Sequence, residues 1–146
     1  MSGGQRSEEL LIVLDENIAS DELREALTPI AAASGARVDL HTAHFPRKTP
    51  DPEWMPIAAE QRWAVITCDV HVRRRPAEKE ILMRAGMCVY ILRGGLNGDQ
   101  IRDALMTALP AICRKHRQLV PPIICHISRE GQVTVKAGQR RGGIKR

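Results

Sequence analysis

Two apolar runs, each closed by an aspartate, restrict this chain to few architectures. Leu10-Leu11-Ile12-Val13-Leu14 stops at Asp15, and Ala64-Val65-Ile66-Thr67-Cys68 stops at Asp69. A strand without polar alternation is buried on both faces, as in a parallel sheet covered on both sides by helices. Met87–Leu92 is a third such run. Between the first two runs, Ile18, Leu23, Ala26, Leu27 and Ile30 fall at helical spacing. Ser20 is the expected N-cap, Asp21 and Glu22 occupy the first turn, and Gly35 is the stop.

Arg37–His41 predicts a weaker strand, followed by a loop that carries Pro46 and Pro50. Asp51 before Pro52 reads as the N-cap of a second helix, with Pro56 expected to delay or bend it. Pro76 and Glu78 open a third helix that ends near Gly86. Asp99 to about Leu119 is the longest, with a kink or split expected at Pro110. Ile123–Ser128 and Gln132–Lys136 flank Glu130-Gly131 as a β-hairpin. The expectation is an α/β fold with a central, mostly parallel sheet flanked by helices and a C-terminal hairpin. The domain spans 8–136, with the hairpin at 123–136 as an appendage and 137–146 as a disordered basic tail.

With 146 residues the chain has room for one real core without disulfide staples. A formal net charge of +5 favours polyanionic partners, nucleic acid first among them, although the same charge also serves solubility. Aromatic residues make up 3%, which argues against an aromatic platform for stacked bases. No signal-peptide pattern and no membrane-length apolar run is present, so a cytoplasmic protein without a membrane partner is expected. Cys68, Cys88, Cys113 and Cys125 lack C-x-x-C spacing and read as reduced, mostly buried thiols.

In α/β sheets the loops that leave the carboxyl ends of strands build the site, and helices entering the next strand begin at that edge. Asp15 and Asp69 end strands and Asp51 begins a helix, so all three acids map to one rim. Gathered carboxylates repel unless a cation sits among them, and hard oxygen donors select Mg2+ or Mn2+. Such an ion suits in-line hydrolysis of a phosphodiester. Glu16 and Glu78 are further acids near this edge, and Thr67 could orient Asp69 or a metal-bound water. Arg73, Arg74 and Arg75 could hold phosphate by guanidinium forks. Each has a plainer reading: Asp51 as helix cap, Asp69 as turn residue, Glu78 as dipole complement, the arginines as a solvated run. Trp54 and Trp63 are expected in the core. The five histidines lack transition-metal spacing, and neither a phosphate loop nor a nucleophile with its base is legible.

Leu14-Asp15-Glu16-Asn17, Asp51-x-x-Trp54-x-x-x-Ala58, Trp63-Ala64-Val65-Ile66-Thr67-x-Asp69 and Arg73-Arg74-Arg75-Pro76-x-Glu78 together resemble the short PIN-like ribonucleases related to VapC-type toxins. The resemblance covers roughly Leu11 to Val135 and implies a three-layer PIN-like sandwich. It further implies a Mg2+-dependent endoribonuclease, commonly the toxin of a toxin–antitoxin pair held by a small antitoxin protein. Asp15, Asp51 and Asp69 match the family's catalytic and metal-binding acids. Larger PIN domains carry one more helix-borne acid, whose counterpart is not legible here, so a non-catalytic PIN-like module that binds RNA or a partner is the alternative. A receiver domain fits poorly, since Asp51 follows a proline loop and no lysine stands directly after the strand that ends at Leu92. Whether the chain forms a homodimer is left open.

Overall fold

A computed structural model describes residues 9–68 and 76–140, the side chains of 76–79 excepted. The elements are β1 (Leu10–Leu14), α1 (Asp21–Ala33), β2 (Ala36–Leu40), a 3-10 turn (His41–Ala43), α2 (Asp51–Glu60), β3 (Ala64–Cys68), α3 (Pro76–Ala85), β4 (Cys88–Leu92), α4 (Gly98–Gln118), β5 (Leu119–Ile127) and β6 (Val133–Arg140). They build one six-stranded sheet in the order β2-β1-β3-β4-β5-β6, parallel throughout except where β6 returns antiparallel to β5. The mixed α/β architecture and its terminal hairpin are as the apolar runs predict.

Each continuous run feeds two cores, because successive side chains leave a strand on opposite faces. Leu10, Ile12 and Leu14 of β1 join Ile66, Tyr90 and Cys125 under α1 and α4. Val13 joins Val65, Val89, Ile91 and Ile124 under α2 and α3. Trp54 and Trp63 lie in this second core, as their sequence setting predicts. Fully burying one such apolar side chain contributes about 1.5–3 kcal/mol, so both layers hold the sheet firmly.

Helices α1, α2 and α3 connect their strands with one hand. The link from β1 to β2 moves one way across the sheet on one face, while those to β3 and β4 move the other way on the opposite face. Helix α4 departs from this pattern. It continues in the direction of the preceding link, from β4 to β5, yet packs on the face of α1. The β4–α4–β5 connection therefore has the opposite hand, against a strong general preference for right-handed crossovers.

Local signals account for most boundaries. Ser20 caps α1 by accepting from the Leu23 N–H at 3.0 Å. Asn97 and Gln100 form a reciprocal capping box at the start of α4, and Pro110 lies inside that helix without splitting it. Three boundaries differ from expectation. The N-cap of α2 is Pro50, which places Asp51 and Pro52 in the first turn, and the helix contains Pro56 and is not delayed by it. Strand β5 starts at Leu119, ahead of Pro121-Pro122, with a register shift in its pairing to β6 across that pair. Strand β6 runs to Arg140, so the first four residues of the expected tail, 137–140, are strand, while 141–146 lie outside the described residues.

None of the four cysteines is in a disulfide, and Cys88, Cys113 and Cys125 are buried. Burial pushes the Cys88 and Cys125 thiols up to about 11, which keeps them protonated and unreactive near neutrality. No helix among the described residues is long and apolar enough to cross a membrane.

Candidate nuclease site at the carboxyl edge of the sheet

Strands β1 and β3 are parallel neighbours, in register from Ile12↔Ala64 to Leu14↔Ile66. Their carboxyl ends therefore deliver Asp15 and Thr67 to the same edge. The Asp15 N–H donates to the Ile66 carbonyl at 2.9 Å and extends the ladder by one bond. The Thr67 hydroxyl donates to Asp15 Oδ2 at 2.9 Å. Asp15 Oδ1 has no hydrogen-bond partner among the described residues. One carboxylate oxygen is thus fixed by a neutral donor, and the other remains for a cation or a water.

Glu16 faces a different neighbour. Both its carboxylate oxygens accept from the Lys48 N–H at 3.2 Å, and Lys48 adopts a left-handed backbone with φ 65°. That conformation is uncommon for a residue with a side chain, and the bifurcated bond to Glu16 helps to offset it. The loop between β2 and α2 is thereby tied to the residue after Asp15.

Asp51 stands in the first turn of α2, and its Oδ1 accepts from the Trp54 indole N–H at 3.0 Å. The indole is packed edge-on against His41, with ring centroids 4.7 Å apart, so Asp51 also anchors a core aromatic. Because α2 runs back toward the start of β3, its first turn lies toward the carboxyl side of the sheet. Oδ2 of Asp51 has no partner among the described residues.

Thus Asp15 and Thr67 are in direct contact, while Glu16 and Asp51 each engage a group of their own. Asp69, Arg73, Arg74 and Arg75 lie outside the described residues, as does the side chain of Glu78. Among the described residues no three His, Cys, Asp or Glu side chains gather as a metal-holding group. The donor chemistry of Asp15 and Asp51, one free carboxylate oxygen on each, nevertheless suits a hard divalent ion. Arg47, Lys48 and Arg93 are exposed near this rim and form no ion pair among the described residues. By contrast, Arg24, Arg37, Arg84 and Arg102 are paired with acids.

One residue absent from the predicted site stands in the middle of it. The Asn17 amide donates from Nδ2 to the Cys68 carbonyl at 2.9 Å and accepts at Oδ1 from the Cys68 N–H at 3.4 Å. The sequence marks Asn17 only as the last residue of the Leu14-Asp15-Glu16-Asn17 stretch and says nothing of its role, since its partner is 51 residues away.

Comparison with curated proteins and with solved structures gives no match. A family model described as a PIN-like domain matches residues 11–94, from the first strand through the loop after β4. That span holds β1, β3 and every predicted acid, and it exceeds half of the chain: the protein belongs to the PIN-like domain family.

Proposed function

We propose that this protein is a Mg2+- or Mn2+-dependent endoribonuclease, and that it serves as the toxin of a toxin–antitoxin pair whose partner is a small antitoxin protein. Membership of the PIN-like family supports a nuclease-type fold. The observation that carries the reading further is the pairing of Asp15 with Thr67 at the carboxyl edge, which leaves one carboxylate oxygen for a cation.

Asp15, Asp51 and Asp69 would hold the ion, which supplies charge neutralisation at the scissile phosphate and an activated water. Thr67 keeps the Asp15 carboxylate from rotating. Arg73, Arg74 and Arg75 would grip phosphates, as would Arg47, Lys48 and Arg93, so that RNA binding weakens steeply with salt. Glu16 holds the β2–α2 loop against the site, and Glu78 is a further acid toward the same end of the sheet.

The test is incubation of the purified protein with end-labelled RNA in Mg2+, Mn2+ or chelator. Wild-type protein is expected to cleave only with metal, and Asp15→Asn and Asp69→Asn to fall to the metal-free background. Cleavage that persists in chelator would sink the proposal. Metal-independent RNA binding without cleavage under any condition would favour the non-catalytic module instead.

A further inference from the structure

The ladder between β1 and β3 ends with the Asp15 N–H on the Ile66 carbonyl, after which the backbone of β1 turns away; the Ile18 N–H closes that turn on the Asp15 carbonyl at 3.0 Å. Beyond that bond β1 no longer runs beside Cys68, while β4 still does, with Leu92 in register. Asn17 takes the place of β1 with a side chain. Its amide has one donor face and one acceptor face, and Cys68 presents a carbonyl and an N–H to match. These backbone groups also fix which end of the amide is which, because a carbonyl only accepts and an N–H only donates.

Between the two lies Thr67, whose hydroxyl is 2.9 Å from Asp15 Oδ2 and 3.3 Å from Asn17 Oδ1. A hydroxyl has a single proton to give, and the shorter, charged contact takes it. Asn17 Oδ1 is then committed to the Cys68 N–H. The clamp thus sets where Thr67 stands, and Thr67 sets how Asp15 is held.

We infer that Asn17 is a positioning residue for the candidate metal site. It holds the end of β3 against β1, aims the Thr67 hydroxyl at Asp15 Oδ2, and so keeps Oδ1 as the donor atom for a divalent cation. This rests on the nuclease reading above. Outer partners that orient a metal-binding carboxylate govern affinity for the ion, and their loss costs about 10–100-fold.

Asn17→Ala, Thr67→Val and the double variant separate this role from a merely structural one, with Mn2+ as the probe. The Mn2+ concentration for half-maximal RNA cleavage and Mn2+ binding by electron paramagnetic resonance are measured beside RNA binding in chelator. Each single variant is expected to need about 10–100-fold more Mn2+, with RNA binding in chelator unchanged. The double variant is expected to be no worse than the poorer single one, because both act through one path. Where alanine fails to fold, Asn17→Leu, of similar shape but with neither amide group, carries the same comparison. An unshifted Mn2+ dependence in the Asn17 variant, or fully additive losses in the double variant, overturns the inference. Wild-type protein that neither binds Mn2+ nor cleaves RNA removes the nuclease reading and this inference with it.

Discussion

A buried imidazole on the far side of the molecule shows how one proton can be located from its neighbours. His116 Nε2 lies 2.9 Å from the Arg62 carbonyl, which can only accept, so that nitrogen carries the hydrogen. In the neutral ring Nδ1 is then an acceptor, and the Tyr90 hydroxyl donates to it at 3.0 Å. Burial raises the Tyr90 hydroxyl well above the usual tyrosine range, in keeping with a group that holds its proton. Arg62 completes the set by donating to the His116 carbonyl at 2.8 Å and to that of Leu119, which satisfies the end of α4. Tyr90→Phe removes the hydroxyl that donates to Nδ1 of a histidine that is 1% exposed. The expected loss is about 1–3 kcal/mol of stability, read from denaturant unfolding, with the proposed metal-dependent cleavage unchanged at permissive temperature.

At the scale of elements, the hairpin between β5 and β6 leans on α4 through a glycine. Gly131 has φ +87°, and a Cβ there would stand 2.6 Å from Thr107 Cβ and 2.7 Å from the Ala104 carbonyl oxygen. Gly131→Ala combines a left-handed backbone, at about 1–2 kcal/mol, with overpacking against a helix backbone, at about 1–3 kcal/mol. Thermal unfolding of the variant should show a clearly lowered midpoint. Glu130-Gly131 was legible as a turn from sequence, as were β1, β3 and β4, because apolar runs ended by turn residues have few other readings. The entry of β5 was not legible, since Pro121-Pro122 usually ends a strand and here lies within one. Nor was the start of α2, where three prolines within seven residues blur the cap. Asp15 could be picked out by its place after a buried run. Asn17 could not, because its meaning comes from a strand 51 residues on.

For the molecule as a whole, the sequence marks α4 as the longest helix but not which face of the sheet it covers, and general handedness would place it beside α3. It covers the other face, where Leu105, Leu109 and Ile112 close over Leu27, Tyr90 and Leu92, all fully buried. The family match ends at Gly94, ahead of that helix. The stretch that identifies the family is therefore not expected to fold by itself. A chain ended after residue 94 keeps β1, β3 and the predicted acids but lacks the helix that covers Leu27, Tyr90 and Leu92. It is expected to lack a cooperative unfolding transition and to bind a hydrophobic dye, whereas residues 9–140 are expected to melt in a single step. Heredity and autonomy are thus drawn along different borders in this chain: the segment that carries the predicted acids is expected to borrow its solidity from a segment that carries none of them.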